Sequence, residues 1–313
     1  MTLWFQHFAR STAALGVLAV AVAGFGPSPT LTEAANARLA TLFPAAFADP
    51  QRWGGGGSPA GGDSCWAGMA AAAHENRESL RQLVFAPFGR TETGWEFYEP
   101  LIAHEIGARC EAGTPDFASD LAAWQWARGL DQTGQMDGVT FAAMKAAWQG
   151  RRPFLTVSRH GCPAAPPEAS LAVVPADESY GGKTLLLRPA ALAAFGRMRE
   201  AARAEAWEVH SDSRLMTLFS AYRSPQSDAA RCLRDGNCQG VVRATCSAHL
   251  TGLAIDLYLG AAPGFGPDSS HDANRLYISR GPAYRWMVAN ARRFGFVPYA
   301  FEPWHWEWTG EPI

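Results

Sequence analysis

Three residues in the C-terminal half of the chain can together hold a metal ion, and a fourth can move a proton beside it. His249 and Asp256 stand seven apart in CSAHLTGLAIDL, a run otherwise short of charge, and His305 follows in EPWHWEW. Two imidazoles and one carboxylate leave a fourth ligand position open. That is the composition of a catalytic zinc site rather than a structural one. Zinc lowers the pKa of a bound water to about 7 and polarises a carbonyl. Such chemistry needs a general base, and Glu302, three residues before His305, can meet that water without ligating. Each residue alone has a plainer reading. A lone histidine in an apolar strand is a satisfied core residue, a lone buried aspartate pairs with a cation or backbone donors, and a lone glutamate caps or faces solvent. The joint arrangement, with no lysine nearby to neutralise it, favours the metal.

The remaining candidates are weaker. His104-Glu105 begins like a helical zinc motif, but Ala108 stands where the second histidine belongs. His271, in DSSHDANR, reads as a solvated loop residue, and His7, His74, His160 and His210 have no partner pattern. There is no GxSxG and no phosphate loop. The six cysteines, Cys65, Cys110, Cys162, Cys232, Cys238 and Cys246, form no CxxC. Their even number reads as disulfides, and locality favours Cys65 with Cys110 and Cys232 with Cys238.

The elements that must position these residues lie mainly after residue 187. An amphipathic helix is expected after Arg188-Pro189, with proline at a helix start. LMTLFSAYRS reads as a strand, and Leu253 to Leu259 as a second with alternation. GPAYRWMVANARRFGF reads as a helix ended by Gly295. EPWHWEW alternates Trp304, Trp306 and Trp308 with His305 and Glu307, as a half-buried strand would. Strands and helices in no βαβ rhythm argue for an α+β fold with an antiparallel sheet and flanking helices. Residues 66 to 150 are mostly helical by periodicity, with a cap near Asp137.

At 313 residues the chain suggests two domains of ordinary size. Its 27 Lys and Arg against 29 Asp and Glu leave a net charge of −2, so no basic excess exists to neutralise nucleic-acid phosphates. Residues 1–26 read as a signal peptide or, if uncleaved, a membrane anchor. Arg10 precedes an uncharged run, and Ala21-Val22-Ala23 resembles a cleavage site. The apolar part is short for a span of ~20 residues. The body of the protein is therefore expected in the periplasm or secreted. Residues 27–64 read as a flexible linker containing WGGGGSPAGGDSC. A small all-α domain (65–152), a proline-rich connector (153–186) and the α+β domain (187–313) follow.

Four segments carry a resemblance. SAYRS (220–224), SAHLTGLAIDL (247–257), RRFGF (292–296) and EPWHWEW (302–308) resemble the VanY-type D-alanyl-D-alanine carboxypeptidases. Those are zinc peptidases with the fold shared by lysostaphin-type enzymes and the Hedgehog signalling domain. The likeness covers about residues 180–310. It implies Zn2+ on His249, Asp256 and His305, with Glu302 as catalytic base. It also implies that Arg223 binds a substrate carboxylate or the carbonyl oxygen, and that Ser247 contacts substrate. Arginine's planar donors suit either task; the plainer readings are a structural ion pair for Arg223 and a turn cap for Ser247. One departure stands out. The family has Gln five residues after the Arg, whereas here Gln226 is three after it and Asp228 holds the fifth position. The loop 231–246, with three cysteines, also departs.

A second resemblance lies upstream. Trp124-Gln125, Gly129-Leu130, Thr133-Gly134, Asp137, Thr140, Phe141 and Trp148-Gln149 resemble the small helical peptidoglycan-binding module found beside many cell-wall hydrolases. A helical packing unit that binds nothing is the alternative. The expected function is zinc-dependent hydrolysis of peptidoglycan stem peptides, with D-alanyl-D-alanine carboxypeptidase first. The alternatives are an endopeptidase and a non-catalytic wall-binding protein of the same fold.

Overall fold

Proline and capping residues punctuate the chain where the helices begin. The computed structural model describes Cys65, residues 68–234, Gly236 and residues 247–310. The expected signal or anchor, the linker, and the Cys232–Cys238 pairing through Cys238 lie outside the described residues. Among those described, α1 (Ala70–Gln82) leads into a small hairpin of β1 (Val84–Phe85) and β2 (Glu92–Thr93). Then come α2 (Glu99–Ile106), α3 (Pro115–Trp126), α4 (Gly138–Gly150) and α5 (Pro153–Val157). The pair β3 (Ala172–Val173) and β4 (Leu186–Leu187) precedes α6 (Pro189–Glu205) and α7 (Trp207–Ser211). The chain continues as β5 (Thr217–Ser220), α8 (Pro225–Arg234), β6 (Ala254–Tyr258), α9 (Asp272–Arg280) and α10 (Pro282–Asn290). It ends in β7 (Phe296–Tyr299) and β8 (Glu302–Trp308).

The expected start and stop signals operate. Pro189 opens α6 at its first turn, and the Asp137 carboxylate accepts from Thr140 N at 2.7 Å to cap α4. After α10 the backbone tightens into a 3₁₀ turn over 291–294, and Gly295, at φ 84°, ends it in the left-handed region. Cys65 is bonded to Cys110 across a Cα–Cα distance of 5.8 Å, as locality suggested. Cys162 and Cys232 are disulfide-bonded too.

The main sheet has the order β5-β6-β8-β7, antiparallel throughout, so the protein mixes helices with an antiparallel sheet as expected. Its burial differs from the expectation. Every residue of β6 is buried, as is β8 from Pro303 to Trp308, so neither strand is half-exposed. One face, carrying Ile255, Leu257, Trp304 and Trp306, packs on Phe195 and Met198 of α6 and Tyr284 and Met287 of α10. The opposite face carries Ala254, Asp256, His305 and Glu307, and Phe154 of α5 packs on Ala254 there. Polar residues on β8 are therefore sealed by tertiary structure, which strand periodicity cannot reveal.

Trp95, Phe117 and Phe141 from the helical segment belong to the same core as Phe296 and Trp306 from the sheet. The described residues belong to one compact unit. A buried polar link reinforces this. Arg275 Nη1 of α9 meets Glu92 Oε1 of β2 at 3.0 Å, and Arg275 Nη2 donates to Tyr98 Oη at 2.7 Å.

Candidate metal centre

The cross-strand register brings two of the three candidate ligands together. Asp256 of β6 stands directly opposite His305 of β8, so their side chains leave the same sheet face as neighbours. His249 arrives differently. It lies in a 3₁₀ turn over 248–251 that precedes the strand. Gly252, at φ +69°, then takes a left-handed conformation that feeds the chain into β6. The seven-residue spacing is thus a turn followed by a strand. One ligand atom from each residue lies within 4.8 Å of the others, and all three residues are buried. Among the described residues no other group of His, Cys, Asp or Glu converges in this way.

Each imidazole is held so that one nitrogen faces Asp256. His249 Nδ1 lies 2.6 Å from the Ala221 carbonyl oxygen and donates to it, leaving Nε2 3.1 Å from Asp256 Oδ2. His305 presents Nδ1 to Asp256 Oδ1 at 2.9 Å. Its Nε2 turns toward Glu307 Oε1 at 3.4 Å, within ion-pair range but without hydrogen-bond alignment. Metal-binding histidines commonly direct the second ring nitrogen to a carbonyl or carboxylate in this manner. The donor set, its convergence and these outer partners fit a divalent cation held by His249 Nε2, Asp256 and His305 Nδ1.

The electrostatics follow from burial opposed by close charges. Burial works against ionisation of Asp256, but the two imidazoles outweigh it and hold the carboxyl well below its usual range. Burial also disfavours an imidazolium at His305. The hydrogen bond to Asp256 and the adjacent charges of Asp256 and Glu307 overcome that and push it up to about 9. For His249 burial prevails and lowers its pKa. Glu307 is brought down to about 2 by His305 and Arg152 in spite of its burial.

Glu302 begins β8. The β7–β8 pairing slips between Pro298–Trp306 and Tyr299–Glu302, and this irregularity re-aims the start of the strand. Part of Glu302 stays open to solvent, but protein packed densely around it raises its carboxyl pKa, and it feels the charges of His305, Asp256, Arg152 and Arg223. It is not one of the three converging ligands.

Arg223 and Ser247 come together through a residue that the sequence pattern marked only as a departure. Asp228 of α8 pairs with Arg223 Nε at 3.2 Å and accepts from Ser247 Oγ at 2.7 Å and Ser247 N at 3.2 Å. Arg223 Nη2 lies 3.4 Å from Ser247 Oγ. Arg223 also feels Asp256 and Glu302, so this cation borders the same cluster.

The discarded candidates have other partners. Glu105 binds Arg151 and Arg128 and accepts from the indoles of Trp124 and Trp148. His271 Nδ1 accepts from Ala273 N and caps α9. Sequence reasoning missed Glu307, which faces the outer nitrogen of His305, and Arg152, which pairs with Glu307. The one available signal was a glutamate two residues past a ligand on an otherwise aromatic strand. The chain matches no protein-family model and no curated protein.

Proposed function

We propose that the chain is a zinc-dependent peptidase of the VanY type, acting on peptidoglycan stem peptides outside the cytoplasm. The convergence of His249, Asp256 and His305 on one sheet face, with Glu302 beside them, carries this reading. The antiparallel sheet with ligands on its two central strands is compatible with the fold shared by that family and the Hedgehog domain. Zinc in this donor set would supply Lewis acidity at the scissile carbonyl and acidify water there.

The chain's own residues do the rest. Glu302 accepts a proton from the attacking water as its oxygen bonds to the carbonyl carbon. It returns that proton to the amine nitrogen as the C–N bond breaks. The Arg223 guanidinium binds the substrate's terminal carboxylate or the developing oxyanion, and Ser247 contacts the substrate beside it. A second reading, endopeptidase action inside the stem or cross-link, is favoured by one observation. Asp228 already neutralises Arg223, the cation that a free terminal carboxylate would use.

The test is hydrolysis of a pentapeptide stem ending in D-Ala-D-Ala by zinc-loaded protein. Release of D-alanine by wild type and not by Glu302→Ala supports the carboxypeptidase. No release with zinc bound stoichiometrically rejects it, and digestion of whole peptidoglycan then decides for or against the endopeptidase.

A further inference from the structure

We propose that Arg152, from the junction of α4 and α5, is a positioning residue for the metal ligand His305. The inference rests on the metal-centre reading above and adds to it a part supplied by the helical segment. Arg152 Nε donates to Glu307 Oε1 at 2.7 Å, and Nη2 lies 2.6 Å from the same oxygen. That oxygen also faces His305 Nε2 at 3.4 Å. The other carboxylate oxygen accepts from Phe154 N at 3.0 Å, so Glu307 is gripped at both ends and cannot rotate. Arg152 is fixed in turn. Its Nη1 donates to Gln149 Oε1 at 3.0 Å, and its guanidinium lies 4.0 Å over the Tyr299 ring. The side chains of Arg152 and Glu307 are only 8% and 2% exposed.

Arg152 and the Phe154 amide fix the Glu307 carboxylate in place, and that carboxylate faces the outer nitrogen of His305 and so sets the orientation of the ring. Changing such outer partners typically costs 10–100-fold in metal affinity. The helical segment therefore contributes to the metal centre itself, 155 residues away in sequence.

The experiment measures zinc affinity of the full chain by chelator competition, the absorption spectrum of the cobalt-substituted protein, and thermal unfolding. Glu307→Gln is expected to bind zinc about 10–100-fold more weakly. Arg152→Lys, which keeps the charge but loses the planar fork, is expected to bind several-fold to tenfold more weakly with an altered cobalt spectrum. Adding Arg152→Lys to Glu307→Gln is expected to cost nothing further. Where Arg152→Lys does not fold, Arg152→Gln/Glu307→Gln leaves no buried charge unpaired and replaces it, with affinity equal to Glu307→Gln expected. A lower melting temperature with unchanged zinc affinity and cobalt spectrum would overturn the proposal, as would additive losses in the double variant. Wild type that binds no zinc would overturn the metal-centre reading as well, whereas wild-type binding matched by the variants overturns this inference alone.

Discussion

Replacing Arg275 by methionine removes the cation from a fully buried polar link between α9 and the helical segment. The side chains of Arg275 and Glu92 are 1% and 0% exposed. Burial holds the Tyr98 hydroxyl far above its usual range, so it stays protonated and donates to Glu92 Oε2 at 2.8 Å. In Arg275→Met the Glu92 carboxylate keeps that hydrogen bond and the partly exposed Arg90 at 3.9 Å, and loses its buried counter-charge. Breaking a buried pair from one side costs about 3–5 kcal/mol. The guanidinium also lies 4.0 Å from the Phe97 ring centre and 4.4 Å from that of Phe301, contacts that methionine replaces only in part. For a unit of this size each kcal/mol shifts Tm by about 2–4 °C, so a fall of about 6–20 °C is expected. Thermal unfolding followed by circular dichroism measures it, and a single transition is expected because the core is shared. In Arg275→Met/Glu92→Leu/Tyr98→Phe the charge and both hydroxyl contacts are gone, and most of the loss should be recovered. A single-variant shift below about 2 °C, or a triple variant no more stable than the single, would refute the reasoning.

Other expectations follow from the same chemistry. In metal-free protein His305 has a folded pKa of about 9 against an ordinary 6.5, so its contribution is complete below pH 6.5 and is lost as pH rises through 9. Urea unfolding in chelator should show stability falling across that window by up to about 3 kcal/mol, and a flat profile would count against the flanking carboxylates. Glu307 sets the acid edge, since its lowered pKa of about 2 gives stability that is present above pH 4.5 and lost as pH falls toward 2. Asp137→Ala removes the α4 cap and should lower stability by about 1 kcal/mol in the same assay, whereas an unchanged midpoint would deny the cap its role. Asp228→Ala releases both Arg223 and Ser247 and should reduce kcat/KM on the stem peptide by about tenfold, mainly through KM; unchanged kinetics would separate Asp228 from substrate binding.

What was legible in the sequence follows from which interactions are local. Pro189, Asp137 and Gly295 act within one helical turn, so their roles could be read directly. The convergent trio was readable as a set because His249, Asp256 and His305 sit in motifs whose neighbours are apolar. The route by which they meet was less so. Residues 253–259 alternate weakly, and nothing in that pattern separates a strand from the turn that carries His249. The polar face of β8 read as solvent-facing because His305 and Glu307 alternate with tryptophans. Arg152 and Phe154 seal it from 150 or more residues away, and no period or spacing links segments so distant. Asp228 was visible only as a missing glutamine, since its partnership with both Arg223 and Ser247 depends on how α8 packs.

The central claim is that a metal ion sits between His249, Asp256 and His305. Anomalous diffraction at the zinc edge from crystals of the zinc-treated protein tests it most directly. The account expects one strong peak within bonding distance of His249 Nε2, an Asp256 carboxylate oxygen and His305 Nδ1, with Glu302 close by but not bound. A map without density there, or with zinc only at other residues, would contradict it.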